Sequence, residues 1–272
     1  MTTTPLLSVT SLSLAFGGTS ALTEVSFDVN PGELFAVIGP NGAGKTSTFN
    51  CISGVYRPSQ GDIRYEGESL VGVRPDVIAQ RGVARTFQNI ELFNNLTVLE
   101  NLLLGRHNLI SAKWWEAFLW LPSARNAEVE ARRAVEYIID FLDLASVRHL
   151  PVGILPYGIK KRIEVGRALA MEPKLLLLDE PVAGMNVEET EDMARFIMDI
   201  RTELGIAMIL VEHDMRVVMD LADRVMVLDF GRQIAVGTPE TVQSDPAVIA
   251  AYLGGASQLE PPTSHESNGG YK

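Results

Sequence analysis

Cysteine is nearly absent: one residue, Cys51, among 272. A single thiol cannot close a disulfide within the chain, which excludes a disulfide-stapled fold and suits a reducing compartment. Basic charge is short as well, with 23 Lys and Arg against 34 Asp and Glu and a net charge of −11. A general nucleic-acid binder carries a basic footprint, so no nucleic-acid partner is expected. No apolar run approaches the length that spans a bilayer, and no basic segment leading into an apolar one opens the chain. Neither a membrane span nor a signal peptide is therefore expected. Internal repeats are missing too. What is left, 46% hydrophobic and 21% charged residues, is the composition of a globular protein with a full core. In size it falls between one large domain and two small ones.

One stretch stands out from this ordinary background. Gly39, Pro40, Asn41, Gly42, Ala43, Gly44, Lys45 and Thr46 fit G-x-x-x-x-G-K-[ST], the phosphate-binding loop. Leu34 to Ile38 reads as a buried strand before it, and Thr46 onward reads as a helix start. Glycines let successive backbone N–H groups turn inward around an anion, and the helix N-terminus adds partial positive charge. Lys45 is placed to reach the β- and γ-phosphates, Thr46 to hold Mg²⁺, and Ser47 to continue the cradle. Cys51, further along the same helix, is expected as a small buried residue rather than a reactive thiol.

The remaining pattern is an α/β rhythm with an interruption. Residues 6–38 read as strands, with Leu12, Leu14, Val25, Phe27 and Val29 alternating with polar neighbours. Asp62 to Tyr65 is a further short strand. Thr97 and Glu100 frame a capping box that opens a helix, and Ala124 to Leu142 is a second one. From residue 171 the rhythm returns: a strand from Lys174 to Asp179, then a helix capped by Asn186 and Glu189 with Met193, Phe196, Ile197, Ile200 and Leu204 on one face. Ile206 to Val211 is the next strand. A hairpin around Phe230 and Gly231 follows, then a short helix at Thr238, Pro239 and Glu240. One α/β domain over 1–253 with a helical insertion over roughly 91–165 is expected, and a disordered tail over 254–272.

Several residues beyond the loop carry chemistry. Asp179 and Glu180 end an apolar strand, at the sheet edge where ligands of open α/β folds sit. Asp179 suits a Mg²⁺ site and Glu180 could polarise a water that attacks the γ-phosphate. His213 also follows a strand, between Glu212 and Asp214. Gln88 closes an apolar stretch.

Taken in order, these residues resemble the ATP-binding subunit of ABC transporters, over about 6 to 253. The resemblance implies a P-loop NTPase core with an amino-terminal antiparallel β subdomain and an inserted α-helical subdomain. It implies ATP and Mg²⁺ as cofactors. It further implies that Gln88 contacts Mg²⁺ or water, that His213 holds the γ-phosphate, and that Phe16 stacks on adenine (strand-end core is the alternative). Leu155, Pro156, Tyr157, Gly158 and Ile159 stand where the family has its signature loop, which closes on ATP held by a partner subunit. Here the family's usual Ser is Pro156, which has neither hydroxyl nor N–H, and the usual Gln is Ile159. Pro156 fits the first turn of a helix expected over Ile159 to Met171. Asn186 replaces the Asp of many relatives.

Some stretches are similar to the ATPase subunits of branched-chain amino acid importers. They are Arg85 to Asn89 with Leu92 and Phe93, Ala183 to Asn186, Glu212 to Asp214, and the segment from Gly237 to Gly254. An insertion near 107–127 carries Trp114, Trp115 and Trp120, which either pack a helical lobe or form a docking surface. The branch implies a peripheral subunit on the cytoplasmic face of the inner membrane. Its partners would be a second ATPase subunit (a different chain, or a second copy), transmembrane permease subunits and, indirectly, a periplasmic solute-binding protein. Lipopolysaccharide export, urea or aromatic-acid uptake, and a weakly hydrolysing nucleotide switch are the alternatives.

Overall fold

The computed structural model describes residues 4–86, 91–107 and 122–256. Among the described residues ten strands form two sheets. In the first, β1 (Leu7–Phe16), β2 (Thr19–Val29), β4 (Gln60–Tyr65) and β5 (Glu68–Ser69) lie in the order β2-β1-β4-β5, all antiparallel. The second holds β3 (Leu34–Ile38), β6 (Val83–Arg85), β7 (Leu175–Asp179), β8 (Ala207–Val211), β9 (Arg224–Asp229) and β10 (Arg232–Gly237) in the order β10-β9-β3-β8-β7-β6. Every pairing in it is parallel except the β9–β10 hairpin.

The unbroken apolar runs of the parallel strands have a direct cause. Successive side chains of a strand point to opposite faces, and both faces of this sheet are covered. Leu34, Ala36 and Ile38 of β3 belong to one core, whereas Phe35 and Val37 belong to the other. Leu176 and Leu178 of β7 divide from Leu175 and Leu177 in the same way.

The first core is closed by α3 (Val98–Gly105), α4 (Pro122–Phe141), α5 (Tyr157–Leu169), α6 (Val187–Leu204) and α7 (Met215–Leu221). The second is closed by the antiparallel sheet with α1 (Lys45–Ile52) and α2 (Pro75–Gln80). Both expected capping boxes are present, Thr97 with Glu100 on α3 and Asn186 with Glu189 on α6. On α6, Met193, Phe196, Ile197 and Ile200 are the buried face.

Two boundaries differ from expectation. The last helix among the described residues, α9 (Pro246–Ala256), follows α8 (Pro239–Gln243) and runs into the stretch expected as a tail, so Gly254 and Gly255 continue a helix. Helix α5 starts at Tyr157, two residues before Ile159, and stops at Leu169. Pro156 is the N-cap residue, extended at ψ 157°, rather than part of the first turn. The reason lies in its carbonyl, which accepts from the Lys160 amide (3.1 Å) and so begins the helical ladder one residue ahead of Tyr157. Among the described residues no helix is long and apolar enough to cross a membrane.

Candidate active site at the phosphate loop

The phosphate loop joins β3 to α1 and is pinned from outside. The Gly231 amide, in the β9–β10 turn, donates to the Ala43 carbonyl (2.9 Å), and the Thr23 amide of β2 donates to the Gly231 carbonyl (2.8 Å). Two glycines are obligatory for different reasons. At Gly39 a Cβ would sit 2.1 Å from the Leu228 carbonyl oxygen, so the loop starts in contact with β9 backbone. Gly44 caps α1 at φ 106°, a region that side-chain-bearing residues rarely enter.

The cavity beside the loop has a volume of about 260 Å³ and is lined by Ala21, by Asn41 to Ser47, and by Glu180 and His213. Lys45 is buried and donates from Nζ to the Gly39 (2.7 Å) and Pro40 (3.0 Å) carbonyls. Burial pulls its pKa below the usual lysine value, opposed by the nearby charges of Glu180 and Asp179. Thr46 is exposed to the cavity, while Cys51 is buried and desolvation lifts its thiol to about 11. Cys51 is thus the inert core residue expected.

Asp179 and Glu180 come from the end of β7. The Asp179 amide donates to Thr86 Oγ1 (3.1 Å), and Asp179 Oδ2 accepts from Arg85 Nη2 (2.8 Å). Arg85 Nη1 also donates to Asn50 Oδ1 (2.6 Å) of α1, so one guanidinium joins β6, β7 and the helix of the phosphate loop. Glu180 is left-handed at φ 51°, and its amide donates to the Val211 carbonyl (2.9 Å). Such a conformation costs a residue with a side chain on the order of 1 kcal/mol. Here it turns the carboxylate into the cavity, where Oε1 lies 2.7 Å from His213 Nε2.

Other expected residues lie apart. Leu155, Pro156, Tyr157 and Gly158 are not among the described residues that line the cavity. They form the start of α5, with the Tyr157 ring against Gly184 and Gly158 so close to Glu189 that a Cβ would meet its Oε1 at 2.5 Å. Phe16, at the end of β1, is 49% exposed and meets Tyr56 edge to face at 5.1 Å, so it is not strand-end core. Gln88 and the three tryptophans Trp114, Trp115 and Trp120 lie outside the described residues.

The sequence model of the ABC transporter family matches residues 22–183. Over 252 residues the chain is 39% identical to the high-affinity branched-chain amino acid transport ATP-binding protein BraF of Pseudomonas aeruginosa, covering 93% of this chain and 99% of that protein. The chain belongs to the ABC transporter family of ATP-binding cassettes. The cassette is likewise 40% identical to the high-affinity branched-chain amino acid transport ATP-binding protein LivG of Escherichia coli K12, with the same coverage. Residues 232–257 match a second family model, the branched-chain amino acid ATP-binding cassette transporter. A crystal structure of a nucleotide-free ATP-binding cassette from an ABC transporter superposes with a TM-score of 0.80 at 30% identity, covering 92% of this chain and 99% of that one. The expected cassette fold and membership of a family of ATP-hydrolysing transport ATPases are both borne out.

Sequence reasoning used Arg85 and Glu212 only as markers of a branch of this family. The structure gives each a place in the site. No pattern signals Arg85, because its partners Asn50 and Asp179 are far from it in the chain.

Proposed function

We propose that this cassette is the ATP-hydrolysing subunit of an importer of branched-chain or related amino acids. It would act as a peripheral subunit at the cytoplasmic face of the inner membrane. Its companion is a second ATPase subunit, and the pair docks on transmembrane permease subunits fed by a periplasmic solute-binding protein. The amino acid assignment rests on the likeness to BraF and LivG, both branched-chain amino acid transport ATP-binding proteins, and on the match at 232–257.

The observation that carries the catalytic reading is the Glu180–His213 pair, 2.7 Å apart at the mouth of the phosphate loop. Glu180 is suited to take a proton from water aimed at the γ-phosphorus, and the His213 ring to donate to a γ-phosphate oxygen. In the form described here the two groups satisfy one another. Nucleotide would compete for the ring and leave the carboxylate to the water. Lys45, now turned onto the Gly39 and Pro40 carbonyls, exchanges those neutral acceptors for phosphate oxygens, which are stronger partners for an ammonium group. The exposed ring of Phe16 stands ready to stack on adenine.

The donor set fits Mg²⁺. Thr46 supplies a hydroxyl and Asp179 a buried carboxylate, both hard oxygen ligands, with Gln88 as the further ligand implied by the family. Mg²⁺ keeps several of its waters and needs only one or two protein carboxylates, so a single Asp beside a hydroxyl suffices. When bound, the ion neutralises charge on the β- and γ-phosphates.

A partner's signature loop would complete the site, since Leu155 to Gly158 of this chain are not among the described residues lining it. Glu180→Gln tests the reading: ATP should still bind while turnover falls below detection. Turnover near wild type would remove Glu180 from its role. Uptake of labelled leucine by cells carrying this variant should be lost, and retained uptake would detach the chain from amino acid import.

A further inference from the structure

Glu212 is a buried carboxylate, 3% exposed, for which the reaction above has no use. It directly follows β8. Its Oε1 accepts from the Val182 amide (2.9 Å), in the turn that leaves Glu180. Its Oε2 accepts from the His213 amide (3.1 Å). The other neighbour of His213, Asp214, is spent elsewhere: its Oδ1 caps α7 by accepting from the Arg216 amide (2.9 Å). The imidazole of His213 is held by Glu180, whose Oε1 lies 2.7 Å from its Nε2.

This placement is costly. Burial and the like charge of Glu180 both push the Glu212 carboxyl above its ordinary pKa, and hydrogen bonds from backbone amides only offset that. Packing alone would be served better by an apolar side chain. What only a carboxylate offers is two acceptor oxygens and no donor, so that it can satisfy N–H groups from two segments at once. A glutamine of the same shape would turn an NH₂ group toward one of them.

We infer that Glu212 is a positioning residue that straps the loop of Glu180 to the loop of His213, so that one side chain sets both halves of the catalytic pair. The inference deepens the proposed function and rests on Glu180 and His213 acting on bound ATP. Both loops follow ends of adjacent strands, β7 and β8, whose ladder ends with the Glu180 amide on the Val211 carbonyl; the Glu212 carboxylate carries the link past that point, to Val182 and His213.

The test uses the full chain, with its companion subunit where turnover requires it. Glu212→Gln should lower kcat roughly tenfold to a hundredfold, the scale expected from a small misplacement of catalytic groups. The KM for ATP and the binding of a non-hydrolysable ATP analogue should stay within about twofold, since the phosphate loop is untouched. Hydrogen exchange should rise together in peptides covering Val182 and His213. An unchanged kcat would overturn the strap, as would faster exchange in only one loop. A parallel fall in kcat, nucleotide affinity and melting temperature would overturn it too, by showing a merely structural role. Glu212→Asp, shorter by one methylene, should keep one hydrogen bond and lie between the two. Glu180→Gln run alongside separates the layers: turnover retained there would overturn the reading of the base, while paired exchange in Glu212→Gln would still report the strap.

Discussion

A buried guanidinium beside a buried carboxylate is explained by what it holds, because desolvating such a pair costs several kcal/mol for each ion. Arg85 and Asp179 are 10% and 3% exposed at their side chains, and their contact is 2.8 Å. Through Asn50 the same guanidinium also reaches α1, so Asp179 is fixed relative to the helix that begins at Lys45. Arg85→Ala would strip buried Asp179 of the guanidinium paired with it and leave only the charge of nearby Lys45, and we expect a loss of about 3 kcal/mol, read by chemical denaturation. Arg85→Lys should lose less stability, yet still give up the geometry of two donors facing Asp179 and Asn50. A stability change below about 1 kcal/mol in the alanine variant would show that the pair is not what holds Asp179. Cys51 makes a simpler case. With the thiol buried and raised to about 11, almost none is thiolate at pH 8. A disulfide reagent at that pH should therefore label the native chain slowly and the denatured chain at once. Fast labelling of the native chain would mean that α1 opens locally.

At the scale of elements, the strands that carry Gly39 and Asp179 were legible because a sheet covered on both faces demands apolar residues at every position. The α6 cap was legible because Asn186 and Glu189 stand at the spacing that lets each satisfy the other's backbone. Asn186→Ala should cost about 1 kcal/mol and Asn186→Asp nearly nothing, by thermal or chemical unfolding. If Asn186→Asp destabilises as much as alanine, the cap is not the reason for the residue. The start of α5 was misplaced because proline favours both the N-cap flank and the first turn, and local sequence alone did not decide between them. Its backbone shows why the distinction matters. With Pro156 at the cap, the Tyr157, Gly158 and Ile159 amides occupy the first turn, where helical amides lack intrahelical partners. An anion could meet those amides even though Pro156 offers no hydroxyl. Pro156→Ser adds a capping hydroxyl and a donor, so it should raise turnover if the proline limits hydrolysis. Unchanged turnover would show that the amides suffice. Contacts such as Arg85 to Asp179 or Glu212 to Val182 were not legible, because they join residues far apart that only the sheet brings together.

At the scale of the whole molecule, what matters is which parts of the chain reach the phosphate-loop cavity. The loop, Glu180 and His213 line a cavity of about 260 Å³, while this chain's own Leu155 to Gly158 are not among its described lining. If a second subunit must complete that lining, the hydrolysing species is a dimer, and its abundance depends on concentration by mass action. Specific ATPase activity of the isolated chain should then rise with protein concentration at dilutions where monomer prevails, and level off once dimer dominates. Addition of the companion ATPase subunit should raise it further at fixed concentration of this chain. Glu180→Gln provides the structural counterpart, since ATP that binds without being consumed should hold the two subunits together during gel filtration, with ADP leaving them apart. Specific activity that is flat over a hundredfold dilution, with a single subunit eluting in MgATP, would place the whole reaction on one chain.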